Sequence, residues 1–560
     1  MNSRCIRLRR AVCWFVLLNL ACPAIRAGNG AVATVHGEAT AAGVAVLREG
    51  GNAVDAAIAA ALTLGVVDGQ NSGIGGGCLA IVRLANGKVV AVDGRETAPR
   101  AATRDMFVRA GQVVPALSQE GPLAVGVPGE LAALEWLARR YGCLPMARHL
   151  ARAADLAERG FPISRSYANR LLGEVPSIRR HAEAARILLH EDGRPWAEGE
   201  LLRQPDLAST YRAIAANGTR WFYRGPFADR TERWMRDNGG LLRRRDFAHY
   251  RPVQRETVVS RYREATVIGF PPPSSGGVHV AQILNILDHF DLRALGEDSP
   301  AWVHWTAEAM RLAFADRAFW LGDSDFVRVP RGLADPKYAA RLAARIHPES
   351  VAPVDRHDNP PDADREFFGK HTTHLSAMDG EGNWVTLTAT INTTFGSKVV
   401  IPGTGVFLNN QMDDFSAQPG ATNFFGLVGS EANAVAPGKR PLSSMSPTLV
   451  LRDGQPVLAV GAAGGPTIIS QVVLAIIRFV DFQKTPAEAI AGPRFHHQWL
   501  PDELVLESAW DASTEAALKG LGHKVRRVRT LGAAQATGRW LDKDAAAGDP
   551  RVDGVGTVVE

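Results

Sequence analysis

Thr372-Thr373-His374-Leu375-Ser376, followed by Gly382-Asn383-Trp384-Val385-Thr386-Leu387-Thr388-Ala389-Thr390-Ile391-Asn392, decides how this 560-residue sequence is read. β-branched and apolar residues on either side of a turn at 379–382 predict two strands, over 373–378 and 384–391. The stretch before them, 352–365, is rich in Pro, Asp and Arg and has the composition of an exposed linker. A threonine just after such a linker, at the head of a strand, has a particular chemical use. Its hydroxyl is a poor nucleophile unless a base stands beside it, and the threonine's own α-amine can be that base once the chain is cut before it. Taken alone, a Thr-Thr pair in a strand more often reflects β-propensity.

Outward from this stretch, the C-terminal part stays β-rich. A second hairpin is expected over 448–451 and 457–461, turning at Asp453-Gly454, and an apolar helix over 468–480 follows Gly464-Gly465-Pro466. Toward the N-terminus, 38–49 reads as a helix stopped by Gly50-Gly51. Asn52 caps a second helix, with Asp55 in its first turn and small apolar residues to Leu64. Another hairpin, 79–84 and 88–93, turns at Asn86-Gly87. The run 73–77 lacks the Gly-Lys-Ser/Thr of a phosphate loop and reads as tight backbone packing. From about 123 to 345 the chain reads mostly as helices, interrupted by Phe270-Pro271-Pro272-Pro273-Ser274-Ser275-Gly276-Gly277.

Composition excludes several classes. Apolar residues make up 46% and charged residues 22%, the balance of a globular chain with ample core. The net charge is +5, but Arg4, Arg7, Arg9, Arg10 and Arg26 lie in the first 27 residues with no acid among them, so the rest of the chain is neutral. No nucleic-acid footprint remains. Residues 1–27 read as a cleaved signal peptide: an arginine-rich start, a short apolar stretch over 11–20, and Ala24 or Ala27 for cleavage. That stretch falls short of the roughly 20 residues that span a bilayer, so no stable membrane span is expected. A lipid anchor at Cys22 is disfavoured by Asn19 and Pro23. The expected location is periplasmic or secreted. Once the leader is removed, only Cys78 and Cys143 remain, too few for a disulfide framework or a zinc site.

Several blocks, in order from about Gly30 to the C-terminus, resemble the gamma-glutamyltransferases (gamma-glutamyltranspeptidases, or glutathione hydrolases). They are Gly50-Gly51-Asn52-Ala53-Val54-Asp55-Ala56-Ala57, Ser72-Gly73-Ile74-Gly75-Gly76-Gly77, Arg95-Glu96-Thr97-Ala98-Pro99, the Thr372 stretch through Phe395-Gly396, Asn409-Asn410-Gln411-Met412-Asp413-Asp414-Phe415-Ser416, Pro441-Leu442-Ser443-Ser444-Met445-Ser446-Pro447 and Pro493-Arg494-Phe495-His496-His497-Gln498. The resemblance implies an α/β fold, the four-layer αββα sandwich of the N-terminal nucleophile hydrolases. It also implies a precursor that cuts itself between His371 and Thr372 and stays together as a heterodimer. The large subunit would be 28–371 and the small subunit 372–560.

By the same resemblance Thr372 is the nucleophile and Thr390 orients it. Arg95 takes the α-carboxylate of a gamma-glutamyl group, where a planar guanidinium suits two oxygens, with Ser443 and Ser444 adding hydrogen bonds. Asp414 takes the α-ammonium, helped by Asn392 and Gln411, while Asp413 is structural. Gly464 and Gly465, at the start of a helix, read as an oxyanion hole, although a plain strand-to-helix turn fits the local sequence as well. The implied substrates are glutathione and other gamma-glutamyl compounds, with water, amino acids or dipeptides as acceptors; no cofactor and no metal is implied. Phe425 stands where many bacterial members have a tyrosine, within a lid segment over 419–437. Two rivals are a glutaryl or cephalosporin-type acylase of the same fold, and an unprocessed, non-catalytic homologue. Retention of Asp414 with Arg95 argues against the first, and the Thr372, Thr390, Gly464 and Gly465 set against the second.

Overall fold

A computed structural model describes residues 29–361, 363, 368 and 376–560. The signal-peptide reading, His371 and Thr372 lie outside the described residues. Two antiparallel sheets form the centre. The first runs, in spatial order, Val555–Val559, Gly30–Thr34, Ser376–Asp379, Trp384–Thr390, Gly77–Arg83, Val89–Gly94 and Val253–Arg255. The second runs Lys543–Ala547, Ala533–Trp540, Gln455–Ala463, Thr448–Arg452, Ala265–Gly269 and Val258–Tyr262.

Two-residue periodicity divides the first sheet between two cores. Ala31, Leu79, Ile81, Ala91, Met378 and Trp384 pack toward the second sheet. Val32, Ala80, Val82, Val90, Val92 and Val385 pack toward the helices on the other side. Those helices include Gly37–Arg48 and Ala53–Val67, the second of which is buried along its whole length. Asn52 and Asp55 form its capping box, and Asp55 also accepts the amides of Cys143 and Leu144. Helices Gly276–Leu287 and Thr467–Val480 cover the outer face of the second sheet, and Pro300–Trp320 packs against the first of them. The result is the four-layer αββα sandwich.

All three expected hairpins are present, at 77–94, 376–390 and 448–463. The middle of the chain departs from the helical expectation. Strands Val253–Arg255, Val258–Tyr262 and Ala265–Gly269 supply one edge of the first sheet and two strands of the second. They are short and two of them carry arginines, so their pattern does not stand out from the flanking helices. Residues before and after position 372 thus interleave in the first sheet and meet side by side in the second, and the two expected subunits share one body.

The glycines at 75–77 are packing glycines. A Cβ at Gly75 would strike the Phe407 carbonyl, one at Gly76 the Thr390 carbonyl, and one at Gly77 the Glu96 carboxyl. Gly76→Ala is therefore expected to displace Thr390 and cost about 3 kcal/mol or more. A lower urea midpoint together with lost activity checks this.

Candidate active site

At the rim of the two sheets lies a cavity of about 700 Å³. Nine of the ten residues proposed from the sequence line it: Arg95, Thr390, Asn392, Gln411, Asp414, Ser443, Ser444, Gly464 and Gly465. The tenth, Thr372, lies outside the described residues. They come from distant parts of the chain. Arg95 follows the end of Val89–Gly94, Thr390 ends its strand, Gln411–Asp414 is a 3-10 turn, and Gly464-Gly465 joins strand Gln455–Ala463 to helix Thr467–Val480.

Arg95 is fully buried, and its guanidinium is aimed by backbone oxygens. Nε donates to the Pro441 carbonyl at 3.2 Å and Nη2 to that of Leu442 at 3.2 Å. Nη2 also meets Asp414 Oδ2 at 2.5 Å, so the proposed cation and anion of the pocket are in direct contact. Glu96 lies 3.8 Å from Nη1. Burial pushes the Glu96 carboxyl up to about 8 against the pull of Arg95. Gln411 Nε2 donates to Asp414 Oδ2 at 2.8 Å, and Asn433 Nδ2 holds the Asp414 backbone carbonyl at 2.7 Å.

Asn392 adopts a left-handed backbone, with φ +81°. Its amide donates to Thr390 Oγ1 at 2.8 Å and its Nδ2 to the Asn410 carbonyl at 3.1 Å. A non-glycine held in this region is strain maintained by its surroundings, and such strain gathers at functional sites. Gly464 and Gly465 have φ of +133° and +60°, conformations that favour glycine. Thr467 Oγ1 donates to the Gly464 carbonyl at 2.9 Å, and Gln471 Nε2 to that of Ala463 at 3.0 Å, fixing the turn beneath them.

The segment expected as a lid lines the same cavity, through Asn423, Phe424 and Phe425 among others. Asn423 Oδ1 accepts the amides of Phe425 and Leu427, shaping a tight turn. The Phe425 ring rests against Gly465, where a Cβ would come within 2.6 Å of it, and the Phe425 carbonyl accepts from Gln498 Nε2 at 3.2 Å. An aromatic contact therefore holds the lid where a tyrosine hydroxyl is absent. Asp413, read as structural, accepts Ser118 Oγ at 2.6 Å and the Phe424 amide at 2.9 Å, and so ties the lid to the body.

Sequence reasoning missed Arg317 and Asn423, which also line the cavity. Arg317 sits in the helix Pro300–Trp320, in an alanine-rich run that reads as core, and its place in the cavity follows only from how that helix packs. Asn423 had no signal beyond its place in the lid. Among the described residues no group of His, Cys, Asp and Glu is arranged to hold a metal ion, and no helix is long and apolar enough to cross a membrane.

The buried guanidinium–carboxylate pair and the glycine turn thus share one cavity on an αββα sandwich of the N-terminal nucleophile hydrolase type. The sequence model of the family described as gamma-glutamyltranspeptidase matches residues 39–559, and the chain belongs to that family. Among curated proteins it is similar to a glutathione hydrolase proenzyme of Escherichia coli, at 41% identity over 94% of this chain and 91% of the relative. It is also similar to an acylase ACY 1 proenzyme of a Pseudomonas strain, at 38% identity over 89% of this chain and 88% of the relative. Among solved structures, a cephalosporin acylase from Bacillus halodurans matches with a TM-score of 0.84 at 29% identity, over 99% of this chain and 98% of that one. Helicobacter pylori gamma-glutamyltranspeptidase matches with a TM-score of 0.57 at 40% identity, over 58% of this chain and 94% of that one.

Proposed function

We infer that the protein is a self-processing gamma-glutamyl hydrolase and transpeptidase acting on glutathione-type compounds. The observation that carries this reading is the Arg95–Asp414 pair beside Gly464-Gly465 in one lidded cavity. An α-amino acid head group presents a carboxylate and an ammonium to that pair, and its γ-carbonyl then reaches toward the glycine turn.

Thr372 is the proposed nucleophile. Ala377 lies opposite Val385 and Met378 opposite Trp384. Thr390, which ends the strand Trp384–Thr390, is the residue proposed to orient Thr372. In maturation the Thr372 hydroxyl attacks the His371 carbonyl carbon, the acyl group passes from nitrogen to oxygen, and water hydrolyses the ester. The heterodimer of 28–371 and 372–560 results. In turnover the freed α-amine takes the hydroxyl proton as oxygen attacks the γ-carbonyl. Backbone amides at Gly464 and Gly465 meet the developing oxyanion. The proton then passes to the departing amine, leaving a gamma-glutamyl ester on Thr372. Water, or the amine of an amino acid or dipeptide, resolves that ester. The leader over 1–27 supports export to the periplasm or beyond.

The acylase reading differs in one requirement: a glutaryl group has no ammonium for Asp414. Asp414→Asn is expected to lower kcat/KM for gamma-glutamyl-p-nitroanilide by about 10²-fold or more and to affect glutaryl-p-nitroanilide far less. Equal losses on both substrates contradict the ammonium role. Intact-mass analysis of the wild-type protein tests the processing: two species are expected, the smaller running from Thr372 to Glu560. A single uncut species favours the non-catalytic reading.

A further inference from the structure

Arg317 is 4% exposed and reaches the cavity from helix Pro300–Trp320. Several other buried arginines face acids: Arg95 faces Asp414, Arg255 faces Asp93 and Arg494 faces Asp549. Arg317 has no carboxylate within 4.0 Å among the described residues, and its partners are hydroxyls. Nε donates to Ser275 Oγ at 2.9 Å and Nη2 to Ser444 Oγ at 3.0 Å. A buried charge with no carboxylate in direct contact is costly. One that lines a ligand cavity creates a demand for an anion there. Burial pushes the Arg317 guanidinium down to about 10 against the pull of Asp414, which still leaves it charged at neutral pH.

The hydroxyl protons can be followed one by one. Ser444 Oγ accepts from Arg317, so its own proton is free to point into the cavity. Ser443 Oγ accepts the Met445 amide at 3.1 Å, which leaves its own proton free in the same way. Ser275, fully buried, donates to the Ser443 carbonyl at 2.8 Å while accepting from Arg317. Ser274 Oγ donates to the Met445 carbonyl at 2.6 Å. The Phe270–Gly277 interruption, given no role by the sequence, is thus the backing of the Ser443-Ser444 loop, and Arg317 is the clamp between them.

We propose that Arg317 is a positioning residue for the carboxylate end of the pocket: it fixes Ser444 as a hydrogen-bond donor toward the substrate's α-carboxylate and adds the positive charge that Arg95, already paired with Asp414, supplies only in part. This rests on the reading that Arg95, Ser443 and Ser444 hold that carboxylate.

The test compares L-glutamate with L-isoglutamine, which carries an α-carboxamide instead, as competitive inhibitors of gamma-glutamyl-p-nitroanilide hydrolysis by the matured enzyme. Wild type is expected to prefer glutamate. Arg317→Gln should shrink that preference by about 10- to 100-fold, the range of a charge-assisted hydrogen bond. It should raise KM while kcat changes far less, and Arg317→Lys should restore part of the preference. If Arg317→Gln does not mature, Ser275→Ala carries the same comparison, with a smaller loss expected. A wild type that prefers glutamate and a variant that keeps the full preference, with both inhibitors weakened alike, overturns the role of Arg317 alone. A wild type with no preference overturns the carboxylate site and this inference with it.

Discussion

Thr372→Ala is expected to leave one uncut chain with no gamma-glutamyl activity. Two losses coincide in this substitution. The hydroxyl that would open the His371–Thr372 bond is gone, so no free α-amine is released, and the nucleophile of turnover is gone as well. Loss of a nucleophile lowers turnover by at least about 10⁴, and here no mature enzyme forms to show even the remainder. Thr372→Ser keeps a hydroxyl and should still cut. Denaturing gel analysis after prolonged incubation separates the outcomes: two bands for wild type and for Thr372→Ser, one for Thr372→Ala. Normal maturation of Thr372→Ala contradicts the assignment.

Arg95→Ala is expected to mature normally and to lose about a thousandfold in kcat/KM for gamma-glutamyl-p-nitroanilide. The size of the effect follows from where the guanidinium sits. It is fully buried, held by the Pro441 and Leu442 carbonyls, and bonded to Asp414. Removing it deletes the cation that meets the α-carboxylate and leaves Asp414 without its ionic partner. Breaking one side of a buried pair is far more damaging than the net worth of the pair. Arg95→Lys should recover little, because an ammonium cannot reach two carbonyls and a carboxylate in one plane. Steady-state kinetics on the processed heterodimer, with unchanged cleavage as the control for folding, check this. Unchanged kinetics rule out the carboxylate role.

Much of this protein was legible in the sequence because local signals agree with the fold. Asn52 with Asp55, Asn86-Gly87 and Asp453-Gly454 mark a helix start and two hairpins through the chemistry of caps and turns, and the structure forms each at those positions. The motifs also named nine residues that converge on one cavity, although Arg95 and Asp414 are 319 positions apart. What the sequence could not specify depends on three-dimensional neighbours. The strands between Val253 and Gly269 are too short and too polar to announce themselves, and they become strands because both sheets offer an open edge to pair with. Asp414 touches Arg95 directly, a distance no spacing encodes. Arg317 belongs to the site because an alanine-rich helix packs its buried face against Ser275 and Ser444. The residue types and turn signals, which act over a few positions, were set by the sequence alone. The pairing of charges and the aiming of hydroxyl protons were decided only when distant segments closed around one cavity, since hydrogen bonds and ion pairs depend on ångströms rather than on order along the chain.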